Sequence, residues 1–438
     1  MKQLKNNYKT IAFCCCASLS TLQSAYAFDL INTENNSLNA NLELAAGAFY
    51  SDKNYLYDSD RNGAHWLEGY AKYGLSGQHK TNSDAAVYGA LSGITSGTFA
   101  DGDAAGFTTG KERDTDIEEL FIGVKYKNLD LSVGRQSLII GDGFLINGDA
   151  LNLGQGLSDD DFDFDRGGAY WLAAKKAFDQ TFVAKLGAEQ GFRSDVFWLK
   201  SDNKAQAEIE LAGLNLEYVA DYGTFGLMHL KGLDVNRAYA QALGLTYRDG
   251  QKTTSIRYQG SAGVDPLFLS AEFVTQEQGD ATGKNANAWY LEAGWTFDKV
   301  VWSPSINVRY TALEAGYDPL FFGFNRGYGT WFQGEVAANY AGLFGSDTDI
   351  FHVGIKAQPT ANVSVGAVFF NFTKTAHKSG SLDSQELDFY VEWAVNDNLM
   401  ISPVIGFFKP EHSARTGGSQ LNDSQLNTYA QVIAVASF

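Results

Sequence analysis

The sequence predicts an all-β chain: a transmembrane antiparallel β-barrel of about 18 strands, with short periplasmic turns and long extracellular loops. Three observations predict it. An export signal opens the chain, amphipathic segments of period two recur along the rest, and the connections alternate between tight and long. A membrane helix needs about 20 consecutive apolar residues, and no run after the signal reaches that length. A barrel crosses lipid with strands of about 9–11 residues.

The export signal comes first. Met1–Lys9 carries Lys2, Lys5 and Lys9, Ile11–Leu19 is apolar, and Ala25-Tyr26-Ala27 is a small-x-small cleavage site. This is the layout of a secretory signal peptide. It predicts residues 1–27 as the cleaved signal and 28–438 as a single outer-membrane barrel domain in a Gram-negative bacterium. Cys14, Cys15 and Cys16 all precede Phe28, so the mature chain has no cysteine for a disulfide framework or a thiolate metal site. Ile11 and Phe13 stand where a lipoprotein signal would place Leu and a small residue, which argues against lipidation.

Charge narrows the partners. Removing the three signal lysines from 33 basic residues leaves 30 against 51 acids, a net charge of −21. Nucleic acid and anionic membrane surfaces are poor partners for such a chain. The expected setting is outer-membrane lipid and lipopolysaccharide, with a hydrophilic solute that the sequence does not specify.

The amphipathic segments follow in order. In Leu38–Tyr50, Leu38, Ala40, Leu42, Leu44, Ala46 and Ala48 share one face, and Asn39, Asn41 and Glu43 the other. Leu67, Gly69, Ala71, Tyr73 and Leu75 oppose Glu68, Tyr70 and Lys72. Leu120, Ile122, Val124 and Tyr126 oppose Glu119, Phe121 and Lys125. Trp289, Leu291, Ala293 and Trp295 oppose Tyr290, Glu292 and Thr296; Ile306, Val308 and Tyr310 oppose Asn307 and Arg309. Leu387, Phe389, Val391 and Trp393 oppose Glu386, Asp388, Tyr390 and Glu392. Period two places each set on one face of a strand. Charged residues on one face suit a wet interior, and Trp or Tyr at the ends of the other suit the aromatic girdles of a barrel.

Tight turns are expected at Lys127–Asp130, Asp221–Thr224, Gln358–Asn362 and Val395–Asn398. Long loops are expected at Ser51–Ala64, Phe99–Thr115, Gly141–Gly167, Leu313–Asp349, Lys374–Gln385 and Lys409–Gln425. The count is 18 strands. It becomes 20 if Thr181–Ser201 and Lys252–Glu277 each divide, and 16 if a weak pair merges. The last strand, Thr428–Phe438, ends on Phe438, which resembles the signal that outer-membrane barrels present to their assembly machinery.

The polar phase supplies candidate pore-lining residues. The bases are Lys72, Lys125, Arg257, Arg309 and Lys356. The acids are more numerous: Glu43, Glu68, Glu119, Glu208, Glu210, Glu217, Glu272, Glu292, Glu386, Asp388 and Glu392. Rings of acids favour cations, so this count predicts a cation preference. Arg135 falls on the apolar phase of Leu129, Leu131 and Val133, where an arginine would cost roughly 2–4 kcal/mol near the bilayer midplane. A bulge at Gly134 that turns Arg135 inward resolves the conflict. Leu313–Asp349, read as the longest loop, holds Tyr317, Phe321, Phe322, Arg326 and Trp331. So apolar a loop is a hazard in water, and an inward fold forming a constriction is expected.

No cofactor or metal is called for. Asp159–Asp165 (DDDFDFD) lacks calcium-loop spacing and reads as a solvated acidic loop. The six histidines are dispersed, with no catalytic motif around them. An enzyme reading would need a close Ser–His or Asp–His pair at the rim.

Several segments carry a family resemblance. Leu131–Asp142 (LSVGRQSLIIGD), Phe164–Phe178 (FDRGGAYWLAAKKAF), Phe197–Asn203 (FWLKSDN) and Glu210–Tyr218 (ELAGLNLEY) resemble the alginate-export-like family of outer-membrane channels. The resemblance implies an 18-stranded monomeric barrel that passes hydrophilic solutes, by diffusion or export. The namesake's acidic polysaccharide would require a basic constriction, whereas the inward residues counted above are mostly acidic.

Overall fold

The computed structural model describes residues 28–438 apart from 57–61, 83–84, 324–333, 343–345, 375 and 378–379. Eighteen antiparallel strands form one sheet. In chain order they are β1 Asn36–Ser51, β2 Ala64–Asn82, β3 Ala85–Ala100, β4 Arg113–Tyr126, β5 Leu129–Gln136 and β6 Phe178–Gly187. Then come β7 Gly191–Lys200, β8 Glu210–Ala220, β9 Gly223–Asp234, β10 Lys252–Gly260, β11 Leu267–Glu277 and β12 Ala286–Thr296. The last six are β13 Ser305–Leu313, β14 Thr348–Thr360, β15 Val363–Thr373, β16 Ser384–Asn396, β17 Leu399–Pro410 and β18 Asn427–Ser437. Each strand pairs with its neighbour in sequence, and β18 pairs with β1 from Ser437–Glu43 to Tyr429–Ser51, which closes the wall. A short N-terminal strand, Phe28–Asn32, lies on the same edge of β1 below β18, with Phe28 opposite Ala40.

Thr181–Ser201 and Lys252–Glu277 both divide, into β6–β7 and β10–β11, yet the total is 18. Gly187 and Gly191 flank the β6–β7 turn at φ of 136° and 85°, a backbone state that disfavours side chains.

The apolar phase faces outward as the alternation predicts. Leu67, Leu120, Ile122, Ile256 and Leu291 are each about half exposed. Tyr73, Tyr126, Trp295 and Trp393 end this surface near the short turns, and Tyr50, Phe99, Trp289 and Tyr310 near the long loops. Such a belt is stable against hydrocarbon, and every backbone group of a closed wall finds a partner without water.

Short turns gather at one end, among them 127–128, 221–222, 361–362 and 397–398. The other end carries the long connections, including 201–209, 235–251 and 278–285, which polar stretches in the sequence do not mark out. The longest is 137–177, between β5 and β6, and not 314–347, between β13 and β14. Loop 235–251 contains a short helix, α1 Arg237–Leu243, capped by the Asn236 side chain and stopped at Gly244.

Candidate functional site

Two loops turn inward and fill the extracellular half of the lumen. Loop 137–177 is fastened to inward-facing wall groups through its own backbone. Leu172 N–H donates to Glu68 at 3.1 Å, and Lys176 and Ala177 donate to Glu118 at 2.7 and 3.1 Å. Ala169 donates to the Thr98 hydroxyl at 2.9 Å. Loop 314–347 is fastened by Glu386, which accepts from Glu335 and Val336 at 2.7 Å and from Ala337 at 2.8 Å. Successive N–H groups at the start of a helical turn have no backbone acceptor, so a carboxylate that takes three of them satisfies groups that would otherwise be orphaned.

The loops also grip each other. Asn147 donates to the Phe321 carbonyl at 2.8 Å, Phe321 donates back to Leu145 at 3.1 Å, and the Tyr170 hydroxyl donates to the Asn339 carbonyl. Trp171 is fully buried against Trp66, Tyr340 and Tyr429, with ring centres 5.2, 5.0 and 5.8 Å away. Phe321 meets Phe178 edge-on at 4.8 Å, and Tyr317 stacks on Phe144. The described part of loop 314–347 runs inward. Phe322 is half-buried, and Arg326 and Trp331 lie outside the described residues. The inward course of loop 137–177 was not expected from the sequence, although Tyr170, Trp171 and Leu172 were a signal: a water-facing loop has no use for them.

Ion pairs reinforce this half. Arg248 and Asp318, both fully buried, join loops 235–251 and 314–347 through bonds of 2.7 and 2.8 Å. The β5–β6 register shifts between Gly134 and Gln136, with the additional residue on β6 and not at Gly134. The Arg135 side chain is 11% exposed and reaches Asp202 at 2.7 Å and Asp179 at 3.2 Å. Arg166, from the inward loop, shares Asp202 at 3.1 Å and stands 3.6 Å from Asp149. Lys175 joins Asp114 and Asp116 at 2.5 and 3.2 Å. Burial alone would raise Asp202, but Arg166 and Arg135 hold it below the ordinary carboxylate range. Burial dominates at Asp149 and pushes it up despite Arg166.

The periplasmic half is open. One cavity of about 670 Å³ is lined by residues 139–142 at the start of loop 137–177, and a second of about 640 Å³ lies against β11–β17. Arg257 lines the first, bonded to Asn215 at 2.7 Å and to Glu217, whose other oxygen is held by Arg193. Arg309 and Glu292 line the second 3.4 Å apart, with Lys356 and Glu392 2.5 Å apart beside them. Lys72 pairs with Glu119 at 3.2 Å and Lys125 with Asp130 at 3.8 Å. Arg135, Arg257 and Arg309 therefore do not converge. Each stands in a different place, and each has a carboxylate partner.

Some inward assignments change. Leu211, Gly213, Asn215 and Glu217 are the buried phase of β8, so Glu210 is not in it and pairs with Lys200 at 3.0 Å. Glu208 sits in a loop and accepts from Asn236. Asp388 is as deeply buried as Glu386. Glu118 was missed because a register shift opposite Ser92–Gly93 inserts it between outward Ile117 and inward Glu119. Asp130, Lys185, Arg193 and Asp195 were also missed; three of them lie on the two strands into which Thr181–Ser201 divides.

No protein-family model and no curated protein sequence matches the chain. Solved structures do match in fold. A BenF-like porin from Pseudomonas fluorescens Pf-5 aligns with a TM-score of 0.59 at 10% identity, covering 92% of this chain and 98% of that one. OccK5 (OpdH) of Pseudomonas aeruginosa gives 0.56 at 11% identity, covering 91% and 98%. OccAB3 of Acinetobacter baumannii gives 0.56 at 10%, covering 91% and 99%. At these identities the likeness establishes the barrel architecture.

Proposed function

We propose that the chain is a porin-like channel in the outer membrane of a Gram-negative bacterium, admitting hydrophilic solutes by passive diffusion. One observation carries the reading: a closed 18-stranded wall with an apolar outer belt surrounds a lumen whose periplasmic half holds two cavities lined by paired charges. The inward loops set the constriction. The fold neighbour from Pseudomonas fluorescens, a BenF-like porin, supports the same reading. Maturation at Ala27–Phe28 leaves the single barrel 28–438, and the strand ending at Phe438 is the element offered to the assembly machinery. N-terminal sequencing of envelope protein is expected to begin at Phe28.

Planar-bilayer recording tests the function. Discrete conductance steps with weak ion selectivity are expected, because the cavities carry cations and carboxylates in balance. Absence of steps overturns the reading. Strong anion selectivity would favour instead a conduit for an acidic polysaccharide, the activity implied by the alginate-export-like resemblance.

A further inference from the structure

The cavity beside loop 137–177 is edged by a row of charges of alternating sign. Lys125 on β4 stands directly opposite Asp130 on β5, Asp130 opposite Lys185 on β6, and Lys185 opposite Asp195 on β7. All four line the one cavity. Directly opposed residues share a face, and neighbouring strands lie about 4.8 Å apart. The row is therefore plus, minus, plus, minus at one-strand intervals; it ends where Asp195 stands opposite neutral Asn215 on β8, and Glu217 on β8 with Arg257 on β10 form a separate pair in the same cavity. Lys125 is half exposed, and Lys185 lies between its two aspartates without closing an ion pair of 4.0 Å or less to either.

We infer that this row makes the vestibule selective for zwitterionic solutes, those that carry an ammonium and a carboxylate a few ångströms apart. The inference rests on the channel reading above and names its substrate class. A lone ion beside one charge of the row meets the opposite sign about one strand away, so the two effects largely cancel. A zwitterion laid along the row meets attraction at both ends. Weak attraction of this kind raises local solute concentration and inward flux without trapping the solute.

The test uses full-length protein in liposomes and follows swelling with solutes of similar size: 4-aminobutyrate (zwitterion), erythritol (neutral), 4-hydroxybutyrate (anion) and choline (cation). The zwitterion is expected to enter about fivefold faster than erythritol at low ionic strength, with the preference shrinking as salt shortens the reach of the row. The double variant Lys185→Gln, Asp195→Asn should lower the zwitterion rate to that of erythritol and leave erythritol itself unchanged. Equal rates for zwitterion and erythritol in the unaltered protein would overturn the inference and leave the channel reading standing. Zwitterion selectivity is likewise overturned if the double variant keeps the preference, or if either single-sign solute matches the zwitterion. Erythritol entry no faster than in protein-free vesicles would overturn both.

Discussion

The carboxylates of the two halves of the lumen have the same chemistry and opposite partners. In the extracellular half Glu68, Glu118 and Glu386 accept backbone N–H groups from the inward loops. In the periplasmic half Glu217 and Glu392 meet cationic side chains at the edge of open cavities, and Glu119 pairs with Lys72 on the inner wall. The first group acts as posts on which the constriction is built, its oxygens engaged by backbone N–H groups and not by cationic side chains. Only the second group contributes to the field that a solute in the vestibule meets, and there each acid has a base. Counting inward acids therefore overstates the cation preference, because the count cannot tell a post from a lining charge.

If this contrast is right, damage to the first half costs stability and damage to the second costs selectivity. The largest effect belongs to Arg248→Ala. It strands Asp318 as a fully buried carboxylate, a loss expected to cost about 3–5 kcal/mol. The folded, heat-modifiable gel band should disappear at a clearly lower temperature. A variant that keeps the original transition would show that this pair is dispensable.

Neutralising Arg257 comes next. Arg257→Gln leaves Glu217 with Arg193 alone in the cavity, so reversal potentials under a salt gradient should move toward cation preference. Glu217→Gln should move them the other way. Shifts of one sign for both variants would contradict a balanced vestibule.

Lys356→Gln removes a pair whose lysine is 45% exposed. Such pairs contribute about 0–1 kcal/mol, and the melting transition should scarcely move. A drop comparable to that of Arg248→Ala would erase the distinction between the halves.

The smallest effect is one of pH. Asp202 is held below its ordinary range in the folded barrel, so its contribution is complete above the unfolded value of about 4 and is lost as pH falls through the folded value. Asp149 is shifted the opposite way by burial and offsets part of the loss. Mild acidification to pH 5 should leave protease resistance of loop 137–177 intact, with loosening only at lower pH.

Much of this architecture is legible in the sequence because a strand exposes its period directly. Leu38–Tyr50 and Glu386–Trp393 assign their faces without help from the rest of the chain. Arg135 announces a conflict, because an arginine in the lipid phase is costly, but the irregularity that accompanies it falls on the neighbouring strand β6. The constriction is less legible. Loop 137–177 mixes DDDFDFD with YWLAA, and composition does not say which part faces water. Glu118 is invisible for a different reason: one inserted residue resets the phase, and nothing local distinguishes it from Glu119. The vestibule row depends on register between four strands, which no single strand records.

The central claim is that the inward loops, held by wall carboxylates, set the size of the pore. Single-channel conductance of the Glu118→Ala, Glu386→Ala double variant tests it most directly, since five loop N–H bonds are released while the vestibule is untouched. The account predicts larger and noisier conductance steps than in the unaltered protein, with ion selectivity nearly unchanged. Steps of the original size, from variant protein that folds and inserts normally, would contradict it.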